Sequence, residues 1–135
     1  MARSAREPHW LTRTVVDAIH ADQLREHGGL PGVRDENGLE AALARPIQQW
    51  HYGSVRQTHA LAAAYGFGLV TSHPYRDGNK RIGFLVAVTF MELNGHTFDA
   101  TDAEVVAEFV SLASGHVTEE ELADWMKRHS RKHRR

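Results

Sequence analysis

The sequence predicts an all-α fold, a compact bundle of about six helices. Three observations predict it. Apolar residues recur at helical spacing through most of the chain, two Thr-x-x-Glu capping boxes stand directly before such runs, and the one strand-like piece, His96 to Asp99, is too short to support a sheet alone.

Thr12 is placed to cap a first helix whose apolar residues Val15, Val16, Ile19 and Leu24 share a face and which ends at His27, before Gly28 and Gly29. The following GGLPGVRDENG is dense in turn residues and reads as an exposed excursion. A short helix, Leu39 to Arg45, is expected next, stopping ahead of Pro46 because the residue before a proline is pushed out of the helical region. From Val55 to Thr71 the apolar residues fall on nearly every face, the pattern of a helix buried at a bundle centre. Gly66 and Gly68 would weaken that helix, so their use is close approach of a neighbouring helix or a small kink. After a loop from His73 to Asn79, KRIGFLVAVTFMELNG reads as a second central helix, stopped by Asn94 and Gly95. Thr101 with Glu104, and Thr118 with Glu121, form the capping boxes of helices from Asp102 to Ser114 and from Glu119 to His129.

Composition bounds the function classes. A chain of 135 residues suits one domain, here 1–126, and 41% hydrophobic with 24% charged residues is ordinary globular usage. The longest apolar stretch is too short for a bilayer, the amino terminus has no signal-peptide pattern, and the absence of cysteine agrees with a cytoplasmic protein. A net charge of -1 argues for no membrane surface and no direct nucleic-acid partner. The basic run KRHSRKHRR, 127–135, is read as a solvated, partly frayed tail; His129 and His133 within it have metal-ligand spacing but no third ligand nearby. Trp10, Trp50 and Trp125 are read as packing residues.

The chemistry is concentrated in SHPYRDGNKRIGF, Ser72 to Phe84. Gly78, Asn79 and Lys80 sit where a loop becomes a helix, so the unpaired amides of the helix start form an anion site for which phosphate is the natural guest. Lys80 and Arg81 add positive charge and Asn79 a neutral donor and acceptor. Asp77 would repel a phosphate unless a cation came between, and Mg²⁺ binds one or two carboxylates together with phosphate oxygens. His73 completes the set as a general base, imidazole being suited to accept a proton from an attacking hydroxyl near neutral pH. These parts suit phosphoryl or nucleotidyl transfer from a Mg-nucleotide to a hydroxyl. A packed histidine, a simple turn and a solvated Lys-Arg pair account for the same spacing equally well. The stretch is not a Walker motif, since the required first glycine is His73.

HPYRDGNKR resembles the signature of the Fic/Doc (Fido) superfamily: His-x-Phe-x-Asp-Gly-Asn-Gly-Arg-x-x-Arg in Fic proteins, His-x-Phe-x-Asp-Ala-Asn-Lys-Arg in the Doc, or death-on-curing, branch. HGGLPGVRDENGLEAALARP before the motif, FLVAVTFMELNGHTF after it and the closing VTEEELADWM also resemble Doc-type toxins of type II toxin-antitoxin systems, in the same order. The resemblance implies a helical bundle of minimal Fido type that uses ATP and Mg²⁺. It implies His73 as general base, Asp77 as Mg²⁺ ligand, Gly78 in the anion-binding turn, and Asn79, Lys80 and Arg81 as phosphate-handling residues, Lys80 and Arg81 in catalysis. Arg34 and Asp35 fall in the region that resembles the flap positioning a target peptide. Tyr75 stands where the pattern has Phe, Gly78 is Fic-like, Lys80 is Doc-like, and Phe84 replaces the second Fic arginine.

Position 80 separates two chemistries. Glycine there leaves room for the α-phosphate arrangement of AMP transfer, whereas a lysine fills that space and offers a point charge to a terminal phosphoryl group. The expectation is therefore a Doc-like protein kinase that phosphorylates a Ser or Thr of a translation factor, by resemblance elongation factor Tu, and halts growth. The alternatives are a Fic-like adenylyltransferase and a non-catalytic protein that engages only its antitoxin. The inhibitory pattern [ST]-x-x-x-E-[GN] of Fido enzymes has no match here, so inhibition is expected in trans from a cognate antitoxin, with nucleic acid reached only through it.

Overall fold

The computed structural model describes residues 6–133. Six helices run in order: α1 (Arg13–His27), α2 (Glu36–Gly53), α3 (Thr58–Ser72), α4 (Asn79–Leu93), α5 (Asp102–Ala113) and α6 (Glu119–Arg128). Two three-residue strands, β1 (His96–Phe98) and β2 (Ser130–Lys132), pair antiparallel, with Thr97 opposite Arg131. The all-α expectation holds, and no described helix is long and apolar enough to cross a membrane.

Helix α3 is the axis of the bundle. Leu61 to Gly66 and Gly68 to Val70 are all buried, and α2, α4 and α6 pack around them. The glycines serve close approach: a Cβ on Gly66 would sit 3.3 Å from the Gly83 carbonyl oxygen of α4, and one on Gly68 would sit 3.2 Å from Ala42 Cβ of α2. Trp10 stacks on Phe90 with ring centroids 5.7 Å apart, and Trp50 and Trp125 are buried, so all three tryptophans are packing residues. Both capping boxes form as the pattern predicts.

Two expectations are corrected. Helix α2 does not stop ahead of Pro46 but starts at Glu36, capped by Asp35, and continues through the buried Pro46 to Gly53. A proline inside a helix forfeits a hydrogen bond and costs about 3 kcal/mol. Beyond it, however, Trp50 is buried under the Arg56 guanidinium, and Arg45 and Gln49 both bind Glu119 of α6, tying the extra turns to the bundle. The basic segment is not a frayed tail either. Lys127 and Arg128 end α6, and Ser130–Lys132 pairs with the strand-like piece that lacked a partner in sequence; the last two residues lie outside the described ones. Because α6 ends at Arg128, His129 and His133 do not share a helix face, and the His129 ring lies against Trp125 instead.

Candidate active site

The motif loop turns the chain from α3 into α4. His73 ends α3 in the left-handed region (φ 53°, ψ 51°), a conformation that reverses the chain and leaves the imidazole exposed. Arg34 stabilises this end, its Nε donating to the His73 carbonyl at 2.9 Å and its Nη2 to the Ser72 carbonyl at 3.1 Å. The segment around it runs beside the motif. Val33 bridges Tyr75 antiparallel, Arg34 N and Asp35 N donate to the Pro74 carbonyl, and Arg76 N donates to Gly32 O. The segment of Arg34 and Asp35 thus lies along the motif loop. Their side chains are committed to capping, Arg34 at α3 and Asp35 at the start of α2.

Tyr75 is held on three sides. Asn79, buried, accepts from Tyr75 N through Oδ1 at 3.0 Å and donates from Nδ2 to Tyr75 O at 2.9 Å. One lone pair of Oδ1 and one N–H of Nδ2 are thus engaged within the loop, which ties the Asn79 amide to the Tyr75 backbone. The Tyr75 ring stacks on His20 of α1 at 3.7 Å between centroids, and its hydroxyl donates to Asp17 Oδ1 at 2.7 Å. Burial, followed by the Asp17 carboxylate, pushes the Tyr75 ionisation well above the usual phenol range. Arg13 carries the network on to Asp17, Glu36 and Glu40, and those carboxylates hold its guanidinium charged.

Gly78 (φ 79°) caps α4 without a side-chain bond, and the N–H groups of Gly78, Asn79, Lys80 and Arg81 have no acceptor among the described residues. They border a cavity of about 460 Å³. His73, Arg76, Lys80 and Arg81 line it, together with Phe84 of α4 and Val105, Val106, Phe109 and Val110 of α5. Phe84, at the position of the second Fic arginine, packs edge-on against Phe98 and Phe109, so an aromatic wall stands where the pattern has a charge. Lys80 and Arg81 are exposed and have no ion-pair partner among the described residues. Asp77, the one carboxylate among the described residues that line the cavity, accepts from Leu30 N through Oδ2 at 2.8 Å, which leaves Oδ1 without a donor among the described residues. That donor set fits Mg²⁺, which takes one or two protein carboxylates and completes its shell with phosphate and water. It does not resemble an all-protein metal cage, and no group of three such ligands occurs among the described residues.

The cavity therefore offers the free amides of a helix start, two cations without an ion-pair partner among the described residues, one half-free carboxylate, an exposed imidazole and an apolar wall. Asp17, His20 and Arg76 went unmarked in the sequence. Asp17 and His20 are one turn apart on α1, but nothing local connects them with residues 57 or 58 positions away.

A model described as the Fic/DOC family matches residues 10–91, more than half of the chain. Among curated proteins the chain is 29% identical over 112 residues to the Protein kinase doc of Escherichia phage P1, covering 82% of this chain and 87% of that one. It is 41% identical over 70 residues to the Toxin Doc of Mycolicibacterium smegmatis, covering 50% of this chain and 53% of that one. The chain belongs to the Fic/DOC family.

Proposed function

We propose that this Fic/DOC protein is a Doc-like toxin that transfers the γ-phosphoryl group of ATP to a Ser or Thr hydroxyl of a protein, with translation elongation factor Tu as the target. The observation that carries the reading is Lys80, an exposed, unpaired cation at the first turn of α4 beside the free amides of the anion site. A flexible point charge there can neutralise a terminal phosphoryl group as negative charge builds on it. The phage relative is named a protein kinase, which supports the same chemistry.

His73 takes the proton from the target hydroxyl, whose oxygen forms the new bond to phosphorus as ADP departs. Gly78 to Arg81 hold phosphate oxygens through backbone N–H groups, and Lys80 and Arg81 neutralise them. Asp77 would hold Mg²⁺, which would supply neutralisation of phosphate charge. Phe84, Phe109 and the α5 valines offer an apolar surface of the kind that accepts a nucleobase. Restraint comes in trans from a cognate antitoxin.

The test is transfer to elongation factor Tu from ATP labelled at either the α or the γ phosphate. Label passing from the γ position alone supports the kinase. Label passing from the α position alone refutes it and establishes AMP transfer, the second reading, which the left-handed Gly78 of the Fic-type pattern favours. If His73→Ala still arrests growth, neither transfer explains the toxicity.

A further inference from the structure

We infer that His20 is a positioning residue for the anion site: by holding the Asp77 carbonyl it orients the Asp77–Gly78 peptide and so aims the Gly78 N–H into the cavity. This rests on the cavity being a nucleotide phosphate site. His20 is 5% exposed, and its Nε2 lies 2.8 Å from the Asp77 carbonyl oxygen. A carbonyl only accepts, so Nε2 carries the proton in this contact. Stacking on Tyr75, with ring planes 13° apart, fixes the imidazole plane and hence the direction of that bond. Tyr75 is itself immobilised by Asn79 and Asp17.

A trans peptide points its C=O and N–H in opposite directions. The Asp77 carbonyl points toward α1, so the Gly78 N–H points away from it. Helix α1 supplies none of the residues lining the cavity, whereas Gly78 itself lines it and its N–H has no acceptor among the described residues. Glycine adopts φ of either sign, so Gly78 permits this peptide orientation and the flipped one alike. His20 selects between them. A Cβ on Gly78 would lie 3.8 Å from His20 Nε2, so the ring sits directly against the turn that it orients.

Two substitutions separate positioning from mere support. His20→Phe keeps a ring against Tyr75 and removes the donor; His20→Gln keeps a donor near Nε2 and loses the ring. The amide signal of Gly78 is followed by NMR as ATP with Mg²⁺ is added, alongside melting temperature and the turnover of γ-phosphoryl transfer to elongation factor Tu. His20→Phe, which strips the Asp77 carbonyl of its donor but keeps the stacked ring, is expected to lower the melting temperature by only a few degrees, lose the Gly78 response and lose turnover by roughly 10- to 100-fold, less than deletion of an oxyanion donor outright. His20→Gln is expected to melt earlier yet keep turnover within about threefold, the donor being what matters. Turnover that follows melting temperature across both variants, or a Gly78 response in His20→Phe equal to that of the wild type, overturns the positioning role alone. A wild-type protein in which ATP moves neither the Gly78 amide nor its neighbours overturns the phosphate-site reading as well.

Discussion

Replacing Tyr75 with phenylalanine removes one oxygen from the centre of the network that holds the motif loop. The hydroxyl donates to Asp17 Oδ1 at 2.7 Å, and hydrogen bonds to charged groups contribute about 1.5–3 kcal/mol. Asp17 is 44% exposed and keeps Arg13 Nε at 2.9 Å, so water reaches the freed oxygen and no buried charge is stranded. The loss at pH 7 is therefore placed at the low end, about 1–1.5 kcal/mol, or roughly 3–6 °C for a chain of this size. The pH dependence gives a sharper test. The folded protein keeps the Tyr75 proton well above the unfolded value of 10.0. This contribution is fully present below pH 10 and declines above it, because only the unfolded chain releases the proton there. The wild type then loses up to about 1.4 kcal/mol per pH unit that Tyr75→Phe does not lose. Urea denaturation of both proteins between pH 7 and 11, followed by circular dichroism, should show the wild-type advantage shrinking above pH 10 and vanishing near pH 11. A difference that stays constant with pH would refute the reasoning, as would a variant at least as stable as the wild type at pH 7.

Gly83→Ala should destabilise the fold by about 1–3 kcal/mol in urea titration despite alanine's better helix propensity, because its Cβ would meet Val70 Cγ2 at 2.6 Å and Gly66 O at 3.2 Å. Gly53→Ala, whose nearest contact is 3.8 Å, should be neutral or mildly stabilising. His73→Gly should abolish transfer by at least about 100-fold while raising the melting temperature, since glycine occupies the left-handed φ of 53° without a Cβ clash. Arg34→Ala, which strips the donors from the Ser72 and His73 carbonyls, should cost about 1–2 kcal/mol in thermal unfolding. Burial first of all lowers the pKa of His59 and of His96, so the fold favours their neutral forms. Their contribution is present above pH 6.5 and lost as pH falls below it. Replacing both with glutamine should flatten the decline of melting temperature between pH 6.5 and 5.

Much of the fold could be read along the chain because its signals are local. The two capping boxes need only residues three apart, and the apolar faces of α3 identify it as central without knowledge of its neighbours. Pro46 misled because its penalty is local while its compensation, Glu119 on α6 binding Arg45 and Gln49, lies 70 or more residues away. The basic carboxyl-terminal run misled for the same reason. Its charge pattern speaks of solvent, but its backbone has a partner in His96–Phe98 that only the turn of α6 brings alongside.

At the site, sequence by itself determined the inventory: an imidazole, a carboxylate, a glycine turn and two cations between two apolar helices, in an order that resembles one superfamily. Tertiary structure decided what each of them is free to do. It engages both ends of the Asn79 side chain within the loop, turns Arg34 into a cap, leaves Lys80 and Arg81 at the cavity without an ion-pair partner among the described residues, and brings His20 and Asp17 against Tyr75. The physical reason is that a residue type sets which bonds a side chain can make. Which bonds remain open for a ligand depends on what the packed helices have already placed beside it.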